Sequence, residues 1–187
     1  MNETPQISSG TLRIRSAEDR DVPALLELHN HAVSHTTAAW TDQLATLETR
    51  HAWFLARRAE GFPILVAVDA SDAVLGYGSY SWFRGRDGYR KTVEHSVYVD
   101  AAHKRAGIGR ALLEELVTQA ERDGFHAMVA VIDGENLASI RLHEKTGFVQ
   151  TGRLPEVGTK FGRWLDLVLM TRLIDTAPPP HGGTVRS

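Results

Sequence analysis

The segment Val93 to Ala120, V-E-H-S-V-Y-V-D-A-A-H-K-R-A-G-I-G-R-A-L-L-E-E-L-V-T-Q-A, holds much of the chemistry available to this chain. Lys104 and Arg105 precede Ala106, Gly107, Ile108, Gly109 and Arg110, so two cations stand beside two glycines. Glycine lets a ligand's oxygens approach the main-chain N–H groups, and the first N–H groups of a helix have no internal partner and carry partial positive charge. At a helix start, such a string binds an anion, phosphate above all. The plainer reading is a tight strand-to-helix turn. No Gly, four residues, Gly-Lys-Ser/Thr string exists, so this is not a P-loop. The dinucleotide fingerprint fits in part: Gly107 and Gly109 match, Leu112 takes the place of the third glycine, and Asp133 falls near the ribose-binding acid. A second basic loop, Arg84-Gly85-Arg86-Asp87-Gly88-Tyr89-Arg90, suits carboxylate or oxyanion recognition by a guanidinium fork, or is a solvated hairpin. His31 and His35 have metal-ligand spacing, but nothing is placed to complete a site, so no metal is expected.

These groups need elements to position them. Val93, Val97 and Val99 share one parity and Glu94, Ser96 and Tyr98 the other, which predicts a strand with one apolar and one chemical face. Ile108, Leu112, Leu116 and Ala120, with Leu113 and Val117, predict the helix that follows. Upstream, Leu12 to Arg15 reads as a strand and Asp21 as the cap of a helix reaching Val33. A second helix is expected over Leu44 to Glu60, with Trp53 and Phe54 in the core, then strands Pro63–Asp69 and Val74–Phe83. Gly76 and Gly78 suggest a bulge or a close backbone approach. Downstream come a buried strand, His126–Asp133, and a helix capped by Asn136 and ended by Gly147. Two strands follow, Phe148–Arg153 and Phe161–Leu173, joined by L-P-E-V-G-T-K.

The chain has 187 residues, 42% hydrophobic and 24% charged, which is one globular domain with a real core. The expected division is a disordered segment 1–11, a domain over 12–173 and a disordered Pro/Gly-rich tail 174–187. A net charge of −2 argues against a nucleic-acid partner. No apolar run of about 18 residues exists, so no membrane partner is expected. With no cysteine there is no disulfide, thiolate metal site or cysteinyl intermediate. The N-terminus has no signal-peptide pattern, and a cytoplasmic location is expected.

The order of elements, the K-R-A-G-I-G loop and the later Asn136, His143, Gly147 and Phe148 together resemble the GCN5-related N-acetyltransferase (GNAT) superfamily over about Leu12 to Leu173. Lys104 stands where glutamine or arginine is usual. Within that superfamily T-V-E-H-S-V-Y-V, A-S-I-R-L-H-E-K-T-G-F and L-P-E-V-G-T-K-F-G-R-W-L-D-L look like the phosphinothricin and methionine sulfoximine/sulfone N-acetyltransferases, and T-T-A-A-W and W-F-x-x-R agree. The resemblance implies an α/β (α+β) GNAT fold: a mixed central sheet of about seven strands with about four helices and a splayed central strand.

It also implies the activity and the site. Acetyl-CoA would be the co-substrate and a small amino-acid-like acceptor, such as phosphinothricin, methionine sulfoximine or methionine sulfone, would attack the thioester with its α-amine. Main-chain N–H groups of Lys104 to Arg110 would hold the pyrophosphate, Val97, Tyr98 and Val99 the pantetheine arm, and Asn136, which is also a plain helix cap, would touch the cofactor. An α-amino group has a pKa of about 7.7–8.0, so at pH 7 only about a tenth is neutral and a base is needed. The resemblance gives Glu94 that role; otherwise Glu94 is a carboxylate paired with Arg84, Arg86 or Arg90. His143, at the position of the usual tyrosine, would serve as acid for the CoA thiolate or as base, or would simply hold Glu94 or a water. Arg84, Gly85 and Arg86, with Glu94, His95 and Ser96, would bind the acceptor. Tyr80 or Trp82 would wall its stem and Lys160 to Trp164 would close the pocket, across a homodimer interface as in relatives. The competing readings are acetylation of another small amine or a protein N-terminus, and a binding module without turnover.

Overall fold

The computed structural model describes residues 12–175. The expected disordered ends lie outside the described residues except for Ile174 and Asp175; the Ile174 N–H donates to the His126 carbonyl at 2.8 Å. The described chain runs β1 (Arg13–Ser16), α1 (Val22–His35), α2 (Leu47–Ala59), β2 (Ile64–Val68), β3 (Val74–Trp82), β4 (Thr92–Val99), α3 (Ile108–Arg122), β5 (Ala127–Asp133), α4 (Leu137–Lys145), β6 (Val149–Lys160) and β7 (Arg163–Leu173). The strands form one seven-stranded sheet in the order β1-β2-β3-β4-β5-β7-β6. Every neighbouring pair is antiparallel except β4 with β5.

The sheet is covered on both faces, which is why β2 is buried at all five positions and reads as a continuous apolar run. On one face Ile108, Leu112, Leu113, Leu116, Val117 and Ala120 of α3 meet Val93, Met128 and Met170. On the other, Leu25 of α1 and Phe54 of α2 meet Val66, Val68 and Tyr77. Gly76 and Gly78 are close approaches, as expected: a Cβ at Gly76 would lie 2.8 Å from the Tyr98 carbonyl oxygen, and one at Gly78 would lie 2.8 Å from Leu116 Cδ1.

The parallel pair is short. Thr92, Val93 and Glu94 are opposite Ala127, Met128 and Val129, and there the pairing ends. Residues 95–99 remain paired with β3, while β5, paired with β7 along its whole length, has no further partner on β4. The central strand is therefore splayed, leaving one edge of five residues open to the cleft.

Three local expectations change. The second helix begins at Leu47, because Thr46 caps it and exchanges a capping box with Thr49. Asp21 stands at the N-cap of α1 as expected, but its side chain makes no capping hydrogen bond there; its carboxylate takes Arg15 in a two-point pair at 2.6 and 2.9 Å. The stretch Leu154–Lys160 belongs to β6 rather than to a connection. Pro155 is tolerated because β6 is an edge strand and its register slips between Leu154 and Gly158. The actual turn is Phe161-Gly162, both with positive φ (51° and 72°), the geometry of a two-residue hairpin.

Candidate active site

Strand β4 separates two pockets. The pleat sends Glu94, Ser96 and Tyr98 toward α1 and α2, and Val93, His95 and Val97 toward the opposite face. On the α1–α2 side is a cavity of about 440 Å³ lined by Glu94, Ser96 and Tyr98, by Tyr77, Ser79 and Ser81 of β3, and by Arg50, Trp53 and Arg57 of α2. On the other side a cleft of about 780 Å³ follows the splay, between 95–99 on one wall and Ala130, Val131 and Ile132 on the other. Ser96 and Tyr98 border both spaces, so the two meet at the open edge of β4.

The basic glycine loop forms the far end of the cleft. Lys104, Arg105, Gly107, Ile108, Gly109 and Arg110 line it, as do Val97, Tyr98, Val99 and Asn136; Ala106 is exposed beside them. Gly107 stands at the N-cap of α3 with φ 83°, a left-handed conformation that glycine adopts at little cost, and Arg105 shares it with φ 67°. Three conditions for an anion site therefore meet: a 15-residue helix starts here, its first N–H groups face a cleft, and cations flank it. Asn136 caps α4, its Oδ1 accepting from the Ser139 N–H at 3.1 Å, and still borders the cleft.

Glu94 is half-buried and makes no side-chain hydrogen bond or ion pair among the described residues. Burial pushes its carboxyl above the usual carboxylate range, and the charge of Arg84 opposes that rise. A carboxylate held this way is not half of a salt bridge and is able to take a proton. His95 and His143 form the other group. The two Nε2 atoms are 3.2 Å apart, and His143 Nδ1 is 2.7 Å from the Ser139 carbonyl oxygen. A carbonyl only accepts, so His143 carries its proton on Nδ1 and its Nε2 accepts from His95 Nε2–H. His95 Nδ1 is then a buried acceptor without a partner. Burial holds both imidazoles below their usual pKa, His95 at about 3. Both are neutral near pH 7.

The structure thus divides the expected cluster. Glu94 and Ser96 share the smaller pocket, whereas His95 is buried on the opposite face against His143 and does not border that pocket. Hydrogen bonding ties His143 to His95, not to Glu94. Arg84, Gly85, Arg86 and Arg90 are exposed in the β3–β4 connection. Arg84 stacks over Phe83 and Tyr89 at 5.2 and 5.8 Å, and none of the four lines the smaller pocket. Trp82 packs on Phe62 and Phe125 rather than on the pocket, and Tyr80 donates its hydroxyl to Asp123 while bordering the pocket. Lys160 is buried and donates to the Ala39 carbonyl. Of the pocket residues on α2, Arg50 was not singled out by the sequence patterns, Trp53 was expected in the core, and Arg57 entered only as the last residue of W-F-x-x-R, with no role. Their spacing of three and four residues places them on one face of α2, and two arginines on a partly apolar helix face were the available signal.

Comparison with known proteins decides the family. Residues 25–148 match the model described as the acetyltransferase (GNAT) family. The chain belongs to the GNAT acetyltransferase family. Among relatives of this acetyltransferase, an L-methionine sulfoximine/L-methionine sulfone acetyltransferase of Salmonella typhimurium is 47% identical over 169 residues, 90% of this chain and 98% of the relative. Two solved structures superpose closely. An acetyltransferase from Salmonella typhimurium, determined with its cofactor acetyl-CoA, has a TM-score of 0.89 and 46% identity, covering 93% of this chain and 100% of the other. A GNAT superfamily phosphinothricin acetyltransferase from Sinorhizobium meliloti, in complex with AcCoA, has a TM-score of 0.87 and 36% identity, covering 94% and 96%. The fold expected of a GNAT acetyltransferase, a mixed seven-stranded sheet with four α-helices and a splay, is the fold found.

Proposed function

We propose that the protein transfers the acetyl group of acetyl-CoA to the α-amine of a small amino-acid-like acceptor such as methionine sulfone, methionine sulfoximine or phosphinothricin. The observation that carries this reading is the unpartnered, half-buried Glu94, in a pocket that opens onto the splayed edge of β4 at Ser96 and Tyr98. The names of the Salmonella and Sinorhizobium relatives supply the acceptor class.

The cleft residues fit acetyl-CoA. The N–H groups at the start of α3, with Lys104, Arg105 and Arg110, would take its phosphates, and the open edge of Val97, Tyr98 and Val99 would pair with the pantetheine amides as a neighbouring strand does. Acetyl-CoA supplies an activated thioester. Glu94 removes the proton of the acceptor amine, directly or through a water. Its raised pKa brings it closer to the amine's own and improves its match as a base near neutral pH. A main-chain N–H of the 97–99 edge is the donor available to the developing oxyanion. His143 touches no acceptor pocket residue among its hydrogen-bond partners and, in its neutral tautomer, has no proton free on Nε2. It orients the end of the cleft and assists rather than acting as the base.

Arg84, whose charge acts on Glu94, would present its guanidinium to the acceptor's carboxylate, with Gly85 and Arg86 beside it in the exposed β3–β4 connection. We read the chain as a cytoplasmic homodimer. Leu154, Val157, Phe161 and Trp164 are large, apolar and exposed on the β6–β7 hairpin, and exposed apolar surface of this kind is what a protein interface covers. The test of the activity is thiol release from acetyl-CoA with methionine sulfone as acceptor. Acceptor-dependent release is expected; release that no amino-acid acceptor increases would refute the reading.

A further inference from the structure

Among the described residues Arg50 is a buried charge with no counter-ion. It is 6% exposed, yet no carboxylate lies within ion-pair distance of it, or of Arg57, among the described residues. Its guanidinium carbon lies 3.8 Å from the centre of the Trp53 ring, its Nη2 donates to the Tyr77 hydroxyl, and its buried Nε–H has no partner. The buried Nε–H of Arg57 has none either. Burying a guanidinium without an anion is costly, and stacking on an indole offsets only part of that. Both arginines line the smaller pocket, whose one lining carboxylate is Glu94.

Position says which part of a ligand they meet. The pocket floor is three cross-strand rows: Ser81 with Glu94, Ser79 with Ser96, and Tyr77 with Tyr98. Arg50 lies 5.0 Å from the Tyr77 ring centre, at the row farthest from Glu94. Four residues of strand separate Glu94 from Tyr98, roughly 13 Å. The amine and carboxylate of an α-amino acid hang on one carbon and cover only part of that Cα-to-Cα length, even with the Glu94 and Arg50 side chains reaching inward. The far end of a side chain can reach along the small serine row between.

We propose that Arg50 is a specificity-determining residue that binds the oxygen atoms on the tetrahedral sulfur or phosphorus at the distal end of the acceptor. Trp53 and Tyr77 hold its guanidinium in place, and Arg57 adds charge beside it. This rests on the acetyl-transfer reading above and adds to it the feature that separates oxidised sulfur and phosphinate acceptors from ordinary amino acids. Planar N–H donors facing an S=O or P–O group discriminate strongly against an analogue lacking those oxygens, because the buried donors would then be left unpaired.

The experiment compares kcat/KM for methionine sulfone and methionine, which share amine, carboxylate and chain length. It uses the wild type, Arg50→Met and Tyr77→Phe. Methionine at 50 preserves the apolar contact with Trp53, and Tyr77→Phe keeps the ring stack while removing the hydroxyl that orients Arg50. The wild type should prefer the sulfone. Arg50→Met should reduce the sulfone-to-methionine ratio at least tenfold, and Tyr77→Phe should reduce it severalfold in a protein whose acetyl-CoA affinity reports an intact fold. A ratio unchanged in both variants overturns the inference alone, as does an equal fall for both acceptors. No turnover of either acceptor by the wild type overturns the acetyl-transfer reading and this inference with it.

Discussion

His95 and His143 share a hydrogen bond between their Nε2 atoms, 3.2 Å apart, inside the cleft wall. Their rings stack at 5.1 Å between centres, and Phe148 closes edge-on against both. The bond fixes both tautomers, occupies the lone pair of His143 Nε2 and leaves Glu94, on the opposite face of β4, as the carboxylate that lines the smaller pocket.

The pair gives the protein an acid limit. The folded-state pKa of each histidine lies below its unfolded value of about 6.5, so below that pH the unfolded chain binds protons that the folded chain refuses. Their contribution to stability is complete above about pH 6.5 and is lost as pH falls toward the folded values, at up to about 1.4 kcal/mol per pH unit for each histidine. Denaturant unfolding between pH 7 and 5 should show this slope, and His95→Gln should flatten it. Parallel slopes in variant and wild type would mean that the pair does not titrate on unfolding.

At the start of α3, a Cβ on Gly109 would come no closer than 3.4 Å to Leu142 and 3.6 Å to Val99, ordinary contacts that the fold accepts. Gly109→Ala should therefore fold, and Gly109→Val, once its circular dichroism matches the wild type, should block the ligand's approach to the helix start. Calorimetry should find the acetyl-CoA Kd raised at least tenfold, about 1.4 kcal/mol. An unchanged Kd would remove this loop from the cofactor site.

Much of this was legible in the sequence. Valines at 93, 97 and 99 and the four-residue rhythm from Ile108 to Ala120 report burial directly, so β4, α3 and the loop between them were placed closely. What sequence periodicity does not report is which distant element supplies a partner. The parity of β4 already separated His95 from Glu94 and Ser96, but reading E-H-S as one cluster overlooked the pleat. Arg50 owes its place to α2 lying over Tyr77, a contact that no periodicity reports, and Pro155 gives Leu154–Lys160 the pattern of a loop although it is an edge strand with a register slip.

Arg84 acts on Glu94 through its charge, which favours the ionised carboxylate. Without that charge Glu94 holds its proton more tightly, so Arg84→Ala should move the acidic limb of the kcat/KM profile to higher pH. It should also raise KM for methionine sulfone with acetyl-CoA affinity near wild type. An exposed guanidinium contributes little, whereas breaking a desolvated pair costs roughly 2–5 kcal/mol, so the size of the KM change shows whether the β3–β4 connection closes over the bound acceptor. If neither the limb nor KM moves, Arg84 has no part in the acceptor site.

The central claim is that Glu94 takes the proton from the acceptor amine. The measurement that tests it most directly is kcat against pH, with methionine sulfone, for wild type, Glu94→Gln and His143→Ala. General base catalysis is typically worth 10²–10⁴-fold, so Glu94→Gln should lower kcat by about that factor and flatten the acidic limb, while His143→Ala should cost less and keep the limb. If Glu94→Gln retains the limb and most of kcat while His143→Ala abolishes the limb, the histidine is the base and the assignment of that role to Glu94 is contradicted.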